Sequence, residues 1–135
     1  MKKVLIVEDN EKNMKLARDV LQARGYQTLE AVTGEDGVRI ARESGPDLVL
    51  MDIHLPGISG VEAMKVLRAD PATAHIPIIA LSANAVPRDI AAGLEAGFFC
   101  YLTKPIKVSL FMEALDAALK PPDTEPGLPA EKEAP

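Results

Sequence analysis

The sequence predicts an α/β fold: a doubly wound (βα)5 three-layer sandwich, with helices on both faces of one parallel five-stranded sheet. Five short runs rich in aliphatic residues alternate along the chain with five longer segments in which apolar residues recur at helical spacing. Three of the short runs are apolar almost throughout, which is typical of strands covered on both faces. This alternation favours an open parallel sheet with right-handed crossovers.

The predicted strands are the short apolar runs. They are Lys3–Val7, Tyr26–Ala31, Asp47–Met51, Ile76–Leu81 and Phe99–Thr103. The first, third and fourth contain few polar residues, so we expect them in the interior of the sheet. The second, YQTLEA, alternates polar and apolar residues and suits a strand at an edge of the sheet.

The predicted helices have ends that can be recognised in the sequence. They run from Glu11 to Arg24, from about Thr33 to Gly45, from Ser59 onward, from about Asn84 to Ala96, and from about Lys107 to Leu119. A glycine follows the first, second and fourth, as is common where a helix ends. The third opens with Ser59-Gly60-Val61-Glu62, a capping box. The fifth carries the apolar residues Leu110, Phe111, Ala114, Leu115 and Ala118.

The composition indicates one soluble domain. The 135 residues are 47% hydrophobic and 26% charged, and the net charge of −5 argues against non-specific binding to nucleic acid or to anionic membranes. We expect a domain over residues 1–120. Residues 121–135 hold five prolines and five charged residues but one large apolar residue, Leu128, so this acidic tail is predicted to be disordered.

Cysteine content and the amino terminus predict a cytoplasmic protein. Cys100 is the only cysteine, so the chain has no internal disulfide and no cysteine-based metal site, and we expect a buried small side chain there. The first apolar run, Val4 to Val7, is too short for the 7–15 apolar residues of a secretory signal. No apolar run approaches the roughly 20 residues of a membrane span.

Polar side chains follow four of the five predicted strands. Glu8 and Asp9 follow the first, Asp52 the third, Ser82 the fourth, and Lys104 with Pro105 the fifth. Sites in open α/β sheets form at the carboxyl ends of the strands, so these residues are expected to converge. The sequence therefore predicts a functional site at that edge of the sheet.

The residue types indicate a phosphoryl acceptor. Three neighbouring carboxylates raise one another's pKa unless a cation compensates, and Mg²⁺ suits such an oxygen-rich site. No His or Cys cluster points to zinc. Lys104 can hold an anionic oxygen, the Ser82 hydroxyl can donate to one, and Asp52 can act as a nucleophile.

Each residue alone has a simpler interpretation. Asp52 could merely end a strand, and Glu8 with Asp9 could stabilise the amino terminus of the first helix. Ser82 could be a turn residue and Lys104 an ordinary surface lysine. Their occurrence after four different strands, all at the same end of the sheet, favours the functional interpretation.

The motifs LIVEDN, DLVLMDIHLPGISG, IIALSANA and YLTKPI resemble those of two-component response-regulator receiver domains, over about residues 1–120. The stretches MKKVLIVEDNEKNMKL, IARESGPDLVLMDIHLPGISG and HIPIIALSANA most resemble single-domain regulators of the cell-division type. The resemblance implies a flavodoxin-like sheet with strand order 2-1-3-4-5. It also implies a donor, a phosphohistidine on a histidine kinase or phosphotransfer protein, and a downstream protein target, with no DNA binding and no membrane insertion.

The same resemblance implies roles for individual residues. Asp52 is the residue phosphorylated; Asp9, Asp52 and the backbone carbonyl of His54 bind Mg²⁺, and Glu8 assists through a water molecule. Lys104, Ser82 and Ala83 contact the phosphoryl group. After phosphoryl transfer, Ser82 is expected to turn toward the phosphoryl group and Tyr101 to turn inward after it. The surface formed by the fourth helix, fifth strand and fifth helix then changes shape. The Lys104–Pro105 bond is expected to be cis.

Some residues depart from the commonest family pattern. Glu8 stands where a first Asp is frequent. Phe98 and Phe99 occupy positions that are more often polar, where they would either form an exposed apolar patch or complete the core. His54 and Asn84 lie where the family tunes dephosphorylation, so the lifetime of the phosphorylated state does not follow from the sequence.

Three other classes compete with this interpretation. An aspartyl-phosphate phosphatase of the haloacid-dehalogenase type needs a second acid two residues after the nucleophile, and that position holds His54. A receiver that is never phosphorylated usually lacks the acids or the lysine, and all are present. A receiver module excised from a longer or hybrid protein stays open.

Overall fold

The computed structural model describes residues 2–83 and 86–119, which form one five-stranded parallel sheet with helices on both faces. The strands are β1 Lys3–Val7, β2 Gln27–Ala31, β3 Leu48–Asp52, β4 Ile78–Ser82 and β5 Cys100–Thr103. The helices are α1 Glu11–Ala23, α2 Gly34–Ser44, α3 Gly60–Ala69, α4 Pro87–Ala96 and α5 Val108–Ala118. The strand order is β2-β1-β3-β4-β5, as the resemblance implies, and β2 lies at an edge as predicted.

Alternate residues of the strands pack on opposite faces because side chains of a strand point alternately up and down. One face buries side chains against α2 and α3, and the other buries side chains against α1 and α5. All the residues of β3 and β4 are buried, which explains why these strands are apolar nearly throughout. The core therefore consists of two apolar layers separated by the sheet.

Side-chain caps begin three of the helices. The Asn10 side chain accepts a hydrogen bond from the Asn13 backbone N–H, and Thr33 does the same for Asp36. At α3, Ser59 Oγ accepts from Glu62 N at 3.1 Å while Glu62 Oε1 accepts from Ser59 N at 3.0 Å, so the predicted capping box is confirmed.

The structure moves several element boundaries. Asp52 and Ser82 are the last residues of their strands instead of following them, and β4 begins at Ile78 instead of Ile76. Helix α4 begins at Pro87, while Asn84, the predicted start, lies outside the described residues. The predicted tail, residues 121–135, lies outside them too.

The structure gives the burial of four residues that the sequence left open or predicted differently. Phe98 is 4% exposed and completes the core, whereas Phe99 is 44% exposed. Of the two interpretations, core and exposed patch, the first therefore holds for Phe98 and the second for Phe99. Leu110, expected on the apolar face of the fifth helix, is 46% exposed because the buried face of α5 is formed by Phe111, Ala114 and Leu115. Cys100 is only half-buried. Within the described ranges no helix is both long and apolar enough to span a bilayer.

Candidate functional site

Three carboxylates meet at the carboxyl edge of the sheet. Strands β1 and β3 are parallel neighbours with Val7 opposite Met51, so Glu8 and Asp9 emerge beside Asp52. One oxygen from each of these three acids lies within 4.8 Å of the others. Glu8 and Asp52 are 1% and 2% exposed, whereas Asp9 faces solvent. The structure therefore brings the three acids together, as the sequence predicts.

Lys104 places its ammonium group between the two buried acids. Nζ donates a hydrogen bond to Asp52 Oδ2 at 3.0 Å and lies 3.0 Å from Glu8 Oε1. Burial alone would lower the pKa of Lys104, but its contacts with Asp52 and Glu8 raise it above the ordinary value. Lys104 therefore stays protonated throughout the physiological range. The Lys104–Pro105 bond is cis.

Glu8 is held in a site that disfavours its ionised form. Burial raises the pKa of Glu8, the backbone N–H of Asn10 and the Lys104 ammonium lower it, and the charge of Asp52 raises it, with a net shift upward. Asn10 N donates to Oε2 at 3.0 Å, but Oε1 is buried without a hydrogen bond of good geometry despite its ion pair with Lys104. The site can therefore take a further positive charge at Oε1.

The Asp52 carboxylate is oriented by hydrogen bonds to both of its oxygens. The backbone N–H of His54 donates to Oδ1 at 3.0 Å, and Lys104 holds Oδ2. The chain after Asp52 is also fixed, since Ile53 N donates to Leu81 O at 2.9 Å. The nucleophile expected from the sequence thus lies at a defined position, and the exposed His54 side chain does not contribute to that hydrogen-bonding.

Ser82 ends the neighbouring strand and faces a cavity next to Tyr101. Both residues line a depression of about 380 Å³ that also touches His54 and helix α4. Ser82 is buried, and its backbone carbonyl accepts a hydrogen bond from Lys104 N at 2.9 Å. The Tyr101 ring packs edge-on against Phe98 with centroids 5.5 Å apart. Burial and the charge of Asp89 raise the pKa of the Tyr101 phenol.

Sequence reasoning missed Gly60, which supports the backbone of the nucleophile. A Cβ atom at position 60 would clash with the Asp52 carbonyl oxygen and lie 2.9 Å from the Asp52 carbonyl carbon and from Ile53 Cα. Gly60 N donates to Ile53 O at 3.0 Å. The one signal in the sequence is the Ser59-Gly60 pair at the start of the third helix, which the capping motif alone explains.

The acidic group fits a hard divalent cation. Glu8, Asp9 and Asp52 offer carboxylate oxygens only, and such oxygens are the ligands that Mg²⁺ prefers. Within residues 2–83 and 86–119 this is the one cluster of three or more His, Cys, Asp or Glu side chains close enough to share an ion. The buried Glu8 Oε1, which lacks a hydrogen bond, supports the same conclusion.

A doubly wound sheet of this order, with clustered acids and a lysine at its carboxyl edge, defines a receiver domain of the two-component class. The sequence profile of the response regulator receiver domain matches residues 4–116, and the chain belongs to that family. It is 46% identical to the polar-differentiation response regulator DivK of Brucella ovis over 118 residues, which cover 87% of this chain and 96% of that protein. The chain is thus a DivK-like receiver response regulator.

Solved structures agree with this assignment. The receiver domain of the sensor histidine kinase PA1611 from Pseudomonas aeruginosa PAO1 superimposes with a TM-score of 0.81 at 35% identity, over 87% of this chain and 97% of that one. That structure has a magnesium ion coordinated in its active-site cleft. The chemotaxis protein CheY4 of Vibrio cholerae gives a TM-score of 0.83 at 26% identity, over 88% of this chain and 99% of that one.

Proposed function

We propose that this chain is a single-domain response regulator that accepts a phosphoryl group on Asp52, with Mg²⁺, from a phosphohistidine of a histidine kinase or phosphotransfer protein. The observation that carries the proposal is the buried Asp52 carboxylate, which Lys104 contacts at 3.0 Å and which shares an acidic cluster with Glu8 and Asp9. The cytoplasmic location stays a prediction.

The proposed metal ligands are Asp9, Asp52 and the backbone carbonyl of His54, with Glu8 acting through a water molecule. Mg²⁺ bound there would supply positive charge against the oxygens of the transferred group. The raised pKa of Glu8 supports this role, because a cation offsets the cost of keeping a buried carboxylate ionised near neutral pH.

In the proposed transfer an Asp52 carboxylate oxygen attacks the phosphorus in line. The P–N bond of the donor breaks, its electron pair stays on the imidazole nitrogen, and an acyl phosphate forms on Asp52. Lys104 would balance charge on the phosphoryl oxygens. The Ser82 hydroxyl and the Ala83 backbone, at the end of the adjacent strand β4, would contact the same oxygens. The chain therefore assists its own phosphorylation without turning over a substrate as an enzyme does.

Output is proposed to pass through the surface formed by α4, β5 and α5. Movement of Ser82 toward the phosphoryl group would change the cavity that Tyr101 also lines, and would favour the inner position of the Tyr101 ring beneath α4. A downstream protein then distinguishes the two forms. We propose neither DNA binding nor membrane insertion, which agrees with the net charge of −5.

A second candidate is a receiver module of a larger protein. The PA1611 receiver domain is part of a sensor histidine kinase, so one structural relative of this chain is a module of a larger protein. The DivK relative, by contrast, consists almost wholly of the matched region, 96% of its length. Both candidates share the chemistry at Asp52.

The phosphoacceptor function is tested by intact-mass analysis after treatment with acetyl phosphate. With Mg²⁺ we expect a mass increase of one phosphoryl group per chain, which hydroxylamine removes because the product is an acyl phosphate. A parallel sample with chelator should show almost no increase. An unmodified chain in the presence of Mg²⁺, or equal modification with and without it, would contradict the proposal.

Lys104→Ala is expected to preserve the fold but to slow phosphorylation on the order of 100-fold, because the charge facing the phosphoryl oxygens is lost. It should also raise the pKa of Glu8 further, since Lys104 lowers it in the native protein. Stopped-flow or mass measurements with acetyl phosphate give the rate. Lys107→Ala, at an exposed lysine nearby, is the control and should behave as wild type; equal rates for the two variants would refute the role of Lys104.

A further inference from the structure

Gly93 lies where helix α4 meets the ring of Tyr101. It is the one buried residue of α4, most of which is exposed. A Cβ atom at position 93 would lie less than 3.0 Å from Cε1, Cζ and Oη of Tyr101, and real Cβ atoms essentially never make contacts that short. The Tyr101 ring therefore occupies space that any side chain at position 93 would need.

The end of α4 cannot easily move away from the ring. The Gly93 carbonyl accepts hydrogen bonds from Gly97 N and Phe98 N, both at 3.1 Å. The Gly97 carbonyl in turn accepts from Arg68 Nε at 3.0 Å and Nη2 at 2.8 Å, which joins this turn to α3. Of the two groups that would collide, the Tyr101 side chain is the one free to rotate about its own bonds.

The same ring borders the phosphoacceptor end of β4. Gly93, Tyr101 and Ser82 all line the cavity of about 380 Å³. A ring that leaves Gly93 would change the wall of the cavity into which Ser82 faces. The contact between Gly93 and Tyr101 is therefore placed to affect events at Asp52 without touching the acids or Lys104.

We infer that Gly93 is a positioning residue for Tyr101: the missing side chain gives the ring its inner position against α4, and a methyl group there would hold the ring outside. This inference rests on the proposed function, in which phosphorylation and the inner ring position favour one another. Because such coupling is reciprocal, a change that disfavours the inner ring must weaken binding at the phosphoryl site.

The test compares Gly93→Ala with its parent, both in a Tyr26→Phe background where Tyr101 is the only tyrosine. Gly93→Ala should fold with an equal or higher melting temperature, since alanine is the better helix former. The Tyr101 ring should become more accessible to a paramagnetic solvent probe, which is measured by the broadening of its NMR signals. The pKa of its phenol should fall toward the ordinary value, because burial and the charge of Asp89 raise it in the native position.

Binding of beryllofluoride with Mg²⁺, which mimics the phosphoryl group, supplies the functional measurement. We expect Gly93→Ala to weaken it about five-fold or more, the range of ordinary allosteric coupling, while affinity for Mg²⁺ alone stays unchanged. In a Tyr101→Ala background Gly93→Ala should have no effect, because the ring that it displaces is absent.

Three results would overturn the inference: a Tyr101 ring that stays shielded in Gly93→Ala, an affinity loss that persists without Tyr101, or a Gly93→Ala variant that fails to fold. The last would show that the ring cannot leave. Failure of the proposed function looks different: the parent protein would not bind beryllofluoride at all, whereas displacement of the ring would still be measurable.

Discussion

Asp52→Asn is expected to reduce phosphorylation by acetyl phosphate to the level of a sample without reagent. The amide has the shape of the carboxylate and can keep the hydrogen bond from His54 N, so the variant should fold. It has no anionic oxygen to attack phosphorus. Intact mass and circular dichroism measure the two effects separately.

Asp9→Asn provides the matched comparison for Asp52→Asn. It removes a proposed metal ligand but leaves the nucleophile, so phosphorylation should become slower and need more Mg²⁺ without being abolished. Hydroxylamine-sensitive label on Asp52→Asn equal to that on wild type would show that another residue accepts the phosphoryl group. That outcome would remove Asp52 from the mechanism.

Gly60→Ala is expected to destabilise the fold by about 3 kcal/mol, the upper part of the usual range for overpacking. The new methyl group would meet the carbonyl of Asp52, the buried last residue of β3, and Cα of the half-buried Ile53 that follows it, and both are backbone atoms. No flexible side chain can move aside to make room. The displaced backbone should also slow phosphorylation of Asp52, and urea denaturation with rate measurements tests both consequences.

Gly34→Ala is the matched control for Gly60→Ala. Both glycines are buried first residues of helices, but a Cβ atom at position 34 would chiefly meet the half-buried Ile58 side chain, which can shift. We expect a smaller loss of stability and an unchanged rate of phosphorylation. Equal stability of the two variants would show that close approach to the Asp52 backbone is unimportant.

Strand and helix identities were predictable because the apolar pattern is strong. Strands covered on both faces carry uninterrupted apolar runs, and β3 and β4 are buried at every residue. The α3 capping box was predictable because its two hydrogen bonds are local in sequence. Boundaries were less accurate, since Asp52 and Ser82 are polar residues that nevertheless pair within their strands.

The site was predictable for a geometric reason. Parallel strands end at the same edge, so the acids after β1, the acid that ends β3 and the lysine after β5 had to approach one another. The sequence did not reveal that Lys104 Nζ lies 3.0 Å from an oxygen of each buried acid, or that Glu8 is buried while Asp9 is exposed. These distances depend on how far each strand extends beyond its neighbour.

The five-fold alternation of strands and helices, the apolar strand interiors and the polar residues at one edge can all be read from the amino-acid sequence. These follow from hydrophobic periodicity and local capping, which act over a few residues. Three facts emerge from the folded packing alone: Phe98 is buried and Phe99 exposed, Gly60 lies against the backbone of Asp52, and Gly93 leaves space for the Tyr101 ring. Such facts depend on the close packing of segments far apart in the chain, where a single methyl group decides whether two elements fit.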